Sequence, residues 1–252
     1  MARAAVLGRL TWRVGTVTAL REESATARTI VLEVPGWPGH QAGQHVDVRL
    51  TAEDGYSAQR SYSIASAPAG NRLELTVQQL EDGEVSPYLG QVLEVGYPLE
   101  LRGPIGGWFV WDRAAPEPVL LVAGGSGVVP LMAMIRTRTA AGSRAPFQLV
   151  YSVRSPDTAL YTDELAQRQH RGDGLAVTYL YTRVTPPGWP VPASRISAGT
   201  LAAPGWLPDS HPAVFVCGPT GFVEAVADLL VSAGHDSRVI KTERFGPSGG
   251  QS

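Results

Sequence analysis

Three short segments of this sequence carry the residue types best suited to chemistry, and they stand in one order: RSYS at 60–63, GGSGVVP at 124–130 and CGPTGF at 217–222. The first combines a cation, an aromatic ring and hydroxyl groups. The second is a glycine-rich loop that can bring backbone N–H groups close to an anion. The third places a cysteine before a glycine-proline turn. Their order suits a flavin in the front half of the chain and a nicotinamide dinucleotide in the rear half.

The first segment has the groups that a flavin nucleotide requires. Arg60 can grip a diphosphate through its planar fork, Tyr62 can cover the face of an aromatic ring, and a hydroxyl can hydrogen-bond a ring nitrogen. The alternative is a barrel strand with exposed polar side chains, and a short match of this kind is weak evidence by itself.

The second and third segments each follow a buried apolar run. The glycine loop lies between a strand and a helix, where N–H groups and the helix dipole meet a phosphate, but Pro130 stands where the last glycine of G-x-G-x-x-G would fall. Cys217 ends another such run, at the edge of an open α/β sheet where ligands collect. A buried cysteine is more often inert packing than a functional group.

The elements around these segments predict two architectures. From Trp12 to about Phe109 short alternating runs are separated by turns, which favours an antiparallel barrel, with one short helix capped by Ser86. After a linker at 112–118, continuous apolar runs alternate with helical patterns, which indicates a doubly wound α/β domain. The predicted strands are 28–34, 45–50, 73–77, 99–101, 119–123, 147–153, 175–181, 213–217 and 238–242, and the predicted helices lie near 162–169 and 222–232.

Composition excludes several classes of function. A net charge of -2 argues against a nucleic-acid-binding protein, and no apolar run is long enough for a membrane span. Residues 1–10 lack the apolar core and cleavage site of a secretion signal, so we expect a cytoplasmic protein. The single cysteine excludes an intramolecular disulfide and an iron-sulfur cluster, and the five histidines lack zinc spacing, so we expect no metal site.

Together the three segments resemble the ferredoxin reductase-like family of FAD-dependent NAD(P)H oxidoreductases, where the first is written R-x-Y-[ST] and the second G-G-x-G-x-x-P. The likeness covers nearly the whole chain and includes AGQ at 42–44, GEVS at 83–86 and GPIGGW at 103–108. It implies an antiparallel β-barrel FAD-binding domain over 1–113, followed by an α/β doubly wound parallel-sheet NAD(P)-binding domain over 114–252.

The resemblance also implies roles for individual residues. Arg60 and Ser86 would hold the FAD phosphates and Tyr62 would pack on the flavin. Ser63 would approach the reactive flavin nitrogen, and Cys217 would position the hydride donor. Phe245 is the candidate for the aromatic residue that covers the open flavin face. The implied FAD-binding residues are Arg60, Ser61, Tyr62, Ser63, Val77, Gly83, Val85, Ser86 and Phe245; those for the dinucleotide are Gly124, Gly125, Gly127, Val128, Arg154, Arg183, Arg195, Cys217, Gly218 and Pro219; the catalytic candidates are Ser63, Cys217 and Glu243.

Three arginines bear on the choice of coenzyme. Arg154 and Arg183 each follow a predicted strand, and Arg195 lies in the segment SRI at 194–196. All three are near the place where an adenosine 2'-phosphate would lie, as in family members that prefer NADPH. We therefore expect NADPH. Arginine is abundant here and Lys241 is the only lysine, so NADH stays possible.

The predicted function is an oxidoreductase in which FAD takes hydride from NADPH and passes electrons singly to a separate protein, such as a ferredoxin, a haem protein or an oxygenase component. A partner must hold that centre because this chain lacks the cysteines for one. One alternative is an NAD(P)H oxidase or free-flavin reductase with a small-molecule acceptor. Another is a non-catalytic dinucleotide-binding sensor, which would carry no flavin.

Overall fold

The computed structural model describes residues 10–80, 82–172, 174–203 and 206–245. Its front half is an antiparallel six-stranded sheet in the order β4-β3-β6-β1-β2-β5. A bridge between Ile64 and Leu75, with a 2.8 Å hydrogen bond from Ala65 N–H to the Glu74 carbonyl, joins the two edges, so the sheet closes into the predicted barrel. The strands are β1 (Trp12–Ser24), β2 (Ala27–Glu33), β3 (His45–Thr51), β4 (Ser57–Ser63), β5 (Arg72–Gln78) and β6 (Pro98–Ile105).

Alternating side chains explain how the barrel forms. Val46 and Val48 on β3, like Leu99 and Leu101 on β6, are almost fully buried and sit two residues apart, as a strand with one face inward requires. The barrel core is therefore built from the same period-two pattern that predicted the strands.

The short helix between β5 and β6 differs in detail from the prediction. It is a π-helical turn, Tyr88–Val92, preceded by Pro87 and without a side-chain cap. The Ser86 hydroxyl instead accepts a 3.1 Å hydrogen bond from the Leu80 N–H group, which closes the loop before the helix. The predicted serine cap is wrong because the Ser86 hydroxyl accepts a hydrogen bond from the preceding loop and not from the start of the helix.

The rear half is a parallel five-stranded sheet in the order β11-β10-β7-β8-β9, with helices in the connections. The last strand begins two residues later than predicted, because Asp236 accepts hydrogen bonds from Arg238 and Val239 and holds that stretch in a turn. The elements are β7 (Val119–Gly124), α1 (Val128–Ala140), β8 (Phe147–Val153), α2 (Thr162–His170), β9 (Leu175–Tyr181), α3 (Ala198–Leu201), β10 (Ala213–Pro219), α4 (Thr220–Ser232) and β11 (Ile240–Phe245).

Both faces of this sheet are covered, which explains why its central strands are apolar throughout. On one face Leu121 packs in a cluster with α1, and on the other Leu120 packs with Val226 of α4. The first cluster also contains Phe109 and Trp111, which follow the barrel. The two sheets therefore share a hydrophobic contact, and the boundary at 113/114 stays a prediction.

A group of charged side chains ties the barrel to the rear sheet. Arg136 of α1 donates to the Ala65 carbonyl at 2.9 Å, to Glu74 of β5 at 3.0 Å and to Glu164 of α2 at 2.5 Å. Tyr161, just before α2, donates its hydroxyl to Thr76 of the barrel. The interface network, as named here, consists of Arg21, Arg72, Glu74, Arg136, Glu164 and Arg168, which are joined by ion pairs.

Candidate functional site

Strand β4 presents the first segment. Arg60 lies opposite Val48 and Tyr62 opposite Val46, so their two side chains share one face of the sheet, while Ser61 points to the other face and donates a 2.7 Å hydrogen bond to Asp47. Burial raises the pKa of Tyr62 to about 12, so the phenol stays neutral at any ordinary pH. A guanidinium and a neutral ring two residues apart on one face can hold a phosphate and an adjoining ring system.

The segment 83–86 lies beside Arg60. The Glu84 carboxylate accepts a 2.6 Å contact from Arg60 Nη2, which joins this segment to β4. Val85 and Ser86 are buried, and a Cβ atom on Gly83 would lie 2.6 Å from the Ser86 hydroxyl, so the loop is tightly folded at that point. Val77 lies on β5 in the barrel core, so any role it has is packing beneath the site.

The glycine loop joins β7 to α1 at the carboxyl edge of the parallel sheet. A Cβ atom on Gly127 would stand 2.1 Å from the Cys217 carbonyl oxygen, so only glycine lets the loop approach β10. Gly125 adopts a φ of 55° and faces open space, in the left-handed region that favours glycine. The positive end of the α1 dipole therefore lies at this edge, where it can attract an anion, while the Val128 N–H itself bonds to the Gly125 and Ser126 carbonyls.

Gly124 and Gly218 meet at the same edge. A Cβ atom on either would lie under 3.0 Å from the Phe222 ring, which packs into the space left by the missing side chains. Pro219 follows at the end of β10 and is exposed. The two glycine-containing turns are thus packed against each other, and together they form the rim of the candidate dinucleotide site.

Ser63, Cys217 and Glu243 come together where β4 of the barrel meets the rear sheet. Cys217 and Glu243 are directly paired on β10 and β11. Burial, and less strongly the neighbouring Glu243, raises the pKa of the Cys217 thiol, so the cysteine is not a thiolate nucleophile. Burial also raises the pKa of Glu243 to about 7, an effect partly offset by the nearby Ser63 hydroxyl.

Two atoms of this group have no hydrogen-bond partner although they are buried. They are Ser63 Oγ and Glu243 Oε2. The Ser63 hydroxyl is close enough to the carboxyl to lower its pKa, but neither of these two atoms has a hydrogen-bond partner. Native interiors rarely leave such atoms unpaired. Three other buried side-chain atoms in the described residues share this state, on Arg13, Trp111 and Thr137.

The described part of β11 ends at the last aromatic candidate. Phe245 lies opposite Pro219 of β10 and packs against the hydrophobic cluster that contains Cys217. Its ring is thus at the same edge as the catalytic candidates, while residues 246–252 lie outside the described part of the chain.

The three arginines predicted to select the coenzyme lie near the carboxyl ends of β8 and β9. The Arg183 N–H donates a 2.9 Å hydrogen bond to the Arg154 carbonyl, and Ser194, next to Arg195, donates to the Tyr181 carbonyl. All three arginine side chains are exposed, and none forms an ion pair or side-chain hydrogen bond within the ranges that the structure describes. They therefore form a free cationic patch at the sheet edge.

The residues fit an FAD on the barrel and a dinucleotide on the rear sheet. Arg60 already binds a carboxylate, which shows that its fork is placed to receive an anion. The unpaired hydroxyl of Ser63 and carboxyl of Glu243 offer hydrogen-bonding capacity that the described protein atoms do not use. Sequence reasoning missed Glu84 as the partner of Arg60, although an acidic residue between Gly83 and Ser86 was a visible signal.

Comparisons with known proteins agree with this geometry. The family model described as the oxidoreductase FAD-binding domain matches residues 15–110, and the oxidoreductase NAD-binding domain matches residues 121–228. The chain is 34% identical over 194 residues to ferredoxin--NADP reductase B of Sorangium cellulosum, covering 75% of this chain and 78% of that protein.

Two further relatives are similar. A glycine betaine monooxygenase reductase subunit of Chromohalobacter salexigens is 34% identical over 206 residues, which cover 81% of this chain but 55% of that protein. This chain therefore spans about half the length of some relatives. The FAD/NAD-binding domain of nitric oxide dioxygenase from Vibrio cholerae superposes with a TM-score of 0.82 at 26% identity, covering 93% of this chain and 99% of that one.

The fold and the matching domains define an FAD- and NAD(P)-binding oxidoreductase. More narrowly, the chain belongs to the ferredoxin reductase-like family of FAD-dependent NAD(P)H oxidoreductases.

Two negative findings apply to the described residues. No group of three or more histidine, cysteine, aspartate or glutamate side chains in those ranges is placed to hold a metal ion. None of the helices in the same ranges combines the length and apolar character that crossing a bilayer would require.

Proposed function

We propose that this chain is the NADPH-oxidising reductase of an electron-transfer system, with FAD on the barrel and the nicotinamide at the carboxyl edge of the rear sheet. The observation that carries the proposal is the meeting of Ser63, from the barrel, with Cys217 and Glu243, from the rear sheet, at a point with unused buried hydrogen-bonding capacity. Bound FAD would supply the redox chemistry, accepting a hydride and releasing its electrons one at a time.

The protein's own part is to bind, align and exclude water. Arg60 and Ser86 hold the FAD phosphates, Tyr62 packs on its ring system, and the Ser63 hydroxyl hydrogen-bonds its reactive edge. The glycine loop and the start of α1 would hold the dinucleotide diphosphate. Cys217, neutral and buried, fixes the position of the nicotinamide by contact, and Phe245 covers the flavin until the nicotinamide arrives.

The Glu243 carboxyl gives this site a titratable group near neutral pH. Its pKa of about 7 means that the protonated and ionised forms are both populated under ordinary conditions. In the protonated form it can donate a hydrogen bond and place a proton beside the reacting rings, a role that a fully ionised carboxylate lacks.

The coenzyme preference follows from the free cationic patch. Arg154, Arg183 and Arg195 supply exposed guanidinium groups at the sheet edge with no internal counter-ion in the described chain. A 2'-phosphate would pair with them, whereas the 2'-hydroxyl of NADH would not. We therefore assign NADPH.

The electron acceptor is proposed to be a separate protein carrying a ferredoxin cluster, a haem or an oxygenase centre. Support comes from relatives named as a ferredoxin--NADP reductase and as a reductase subunit of a monooxygenase. The single cysteine of this sequence cannot hold an iron-sulfur cluster.

Stopped-flow reduction of the FAD-loaded protein by NADPH and by NADH tests the proposal. At equal low concentration NADPH should reduce the flavin faster than NADH does. Arg183→Ala should lower the rate of reduction by NADPH about 10-fold and leave the rate with NADH unchanged. Arg144→Ala is the matched control, because Arg144 is exposed between α1 and β8, at the opposite edge of the sheet. Faster reduction by NADH would contradict the assignment of the coenzyme.

Mixing the reduced protein with candidate acceptors completes the test. A ferredoxin should be reduced faster than free flavin or dioxygen. If small acceptors are reduced faster than every protein acceptor tried, the chain is instead a free-flavin reductase or oxidase.

A further inference from the structure

The proposed diphosphate-binding arginine already has an anionic partner within the chain. Arg60 Nη2 lies 2.6 Å from Glu84 Oε2, while Arg60 Nη1 donates to the Gln59 carbonyl at 2.7 Å. The other carboxylate oxygen of Glu84 accepts a 2.8 Å hydrogen bond from the Tyr56 hydroxyl. Both oxygens of Glu84 are therefore engaged, and each Nη atom of Arg60 already donates one hydrogen bond within the protein.

A carboxylate and a phosphate use the same donors on a guanidinium fork. Glu84 lies in the segment 83–86 that we propose for the flavin phosphates, so the carboxylate and the diphosphate would compete for the Nη2 side of the Arg60 fork. Hydrogen bonds from Tyr56 and Arg60 lower the pKa of Glu84, so the group is ionised at neutral pH. An ionised Glu84 that stays near the site also repels the diphosphate.

The Arg60–Glu84 pair is easy to open. The Arg60 and Glu84 side chains are 44% and 50% exposed, and exposed ion pairs are weak and screened by salt. Displacing the carboxylate therefore lowers the affinity for a phosphate ligand without blocking it.

We propose that Glu84 is a built-in competitor of the flavin diphosphate: it occupies Arg60 in the flavin-free protein and must be displaced when FAD binds. This inference rests on the proposed FAD site. Its consequence is a flavin that binds less tightly than the same barrel would allow, so that FAD exchanges more readily. The competition acts only on ligands that carry a phosphate.

Equilibrium binding to the flavin-free protein tests the proposal, with flavin fluorescence as the readout. Glu84→Gln should bind FAD about three- to ten-fold more tightly than the wild-type chain, since it loses both the competing charge and the repulsion. Riboflavin, which has no phosphate, should bind the variant and the wild-type chain equally. Glu84→Ala should behave like Glu84→Gln for FAD.

Glu94→Gln is the matched control. It removes the same charge from an exposed position of the same barrel, after the π-helical turn, and should leave the FAD affinity unchanged. Raising the salt concentration should narrow the difference between Glu84→Gln and the wild-type chain, because both the pairing and the repulsion are screened.

The outcomes separate the inference from the function on which it depends. Equal FAD affinity in the wild-type chain and both Glu84 variants overturns the inference and leaves the FAD site standing. Equal tightening of FAD and riboflavin also overturns it, because the effect would then not involve the phosphate. If none of the proteins binds FAD, the proposed function itself fails.

Discussion

The barrel and the rear sheet meet in two regions that are built in opposite ways. In the interface network the buried charges are paired: Glu74 alone contacts Arg21, Arg72 and Arg136. At the candidate site Ser63 Oγ and Glu243 Oε2 are just as inaccessible but have no partner. The interface network pairs its buried carboxylate within the chain, whereas the candidate site keeps two buried polar atoms that a ligand could hydrogen-bond.

This difference separates a structural contact from a functional one. Paired buried charges hold two sheets in a fixed relation, whereas unpaired buried groups lower stability unless a ligand uses them. The interface network joins the barrel to α1 and α2 of the rear half, and the proposed cofactor site lies where the same two parts meet. Substitutions in the two regions should consequently shift stability in opposite directions.

The largest expected effect is on the interface network. Arg136→Ala removes the buried cation that joins Glu74, Glu164 and the Ala65 carbonyl, leaving Glu74 with the more exposed Arg21 and Arg72 and Glu164 with Arg168. The free energy of unfolding should therefore fall by about 3 kcal/mol. Denaturant unfolding of the flavin-free protein measures this change. Arg238→Ala, which removes a fully exposed ion pair with Asp236, is the control and should have no measurable effect. A similar loss in both variants would contradict the structural role of the network.

The second-largest expected effect is on the pH dependence of the free energy of unfolding, through Glu243. The folded-state pKa of about 7 lies above the ordinary value of 4.5, so the folded protein holds a proton that the unfolded chain releases. The stability associated with this carboxyl is therefore fully present below about pH 4.5 and is lost as the pH rises to about 7, a change of about 3 kcal/mol.

Glu243→Gln removes that dependence. In flavin-free protein the variant should be more stable than the wild-type chain at pH 8, and the part of the pH slope between 4.5 and 7 that Glu243 causes should disappear. Unfolding measured at several pH values gives both quantities. If the variant is less stable at pH 8, the carboxyl has a partner and the contrast between the two regions is lost.

The smallest effect on stability is expected at Ser63. Ser63→Ala removes an unpaired buried hydroxyl, so the flavin-free protein should become about 1 kcal/mol more stable. Flavin reduction by NADPH should nevertheless slow by about 10- to 100-fold, because a hydrogen bond to the reacting ring is lost. Ser57→Ala, at the exposed start of β4, is the control for both measurements. An unchanged reduction rate would remove Ser63 from the mechanism.

Local patterns predicted the fold well. The apolar run 119–123 and the alternation at 45–50 both became strands at the expected places, and the two-part architecture is confirmed. Two predictions were wrong where a side chain has more than one hydrogen-bond partner within reach. Ser86 bonds to Leu80 and does not cap the helix, and Asp236 stabilises a turn just before the last strand, which therefore begins later than predicted. Such choices depend on loop geometry that residue types alone do not determine.

The candidate site was predictable in its residues but not in its electrostatics. The three motifs and the family that they resemble named Arg60, Ser63 and Cys217, and the roles of these residues stay predictions. Neither the pairing of Arg60 with Glu84 nor the bridging by Arg136 could be read from the sequence. Arg136 contacts Glu74 across 62 positions of the chain, a distance over which periodicity carries no information.

Flavin titration followed by anaerobic addition of NADPH tests the central claim most directly. We expect the purified chain to bind one FAD, and the visible absorption band of the bound flavin to bleach when one equivalent of NADPH is added. A chain that takes up no FAD, or that binds FAD which neither NADPH nor NADH can reduce, would contradict the account.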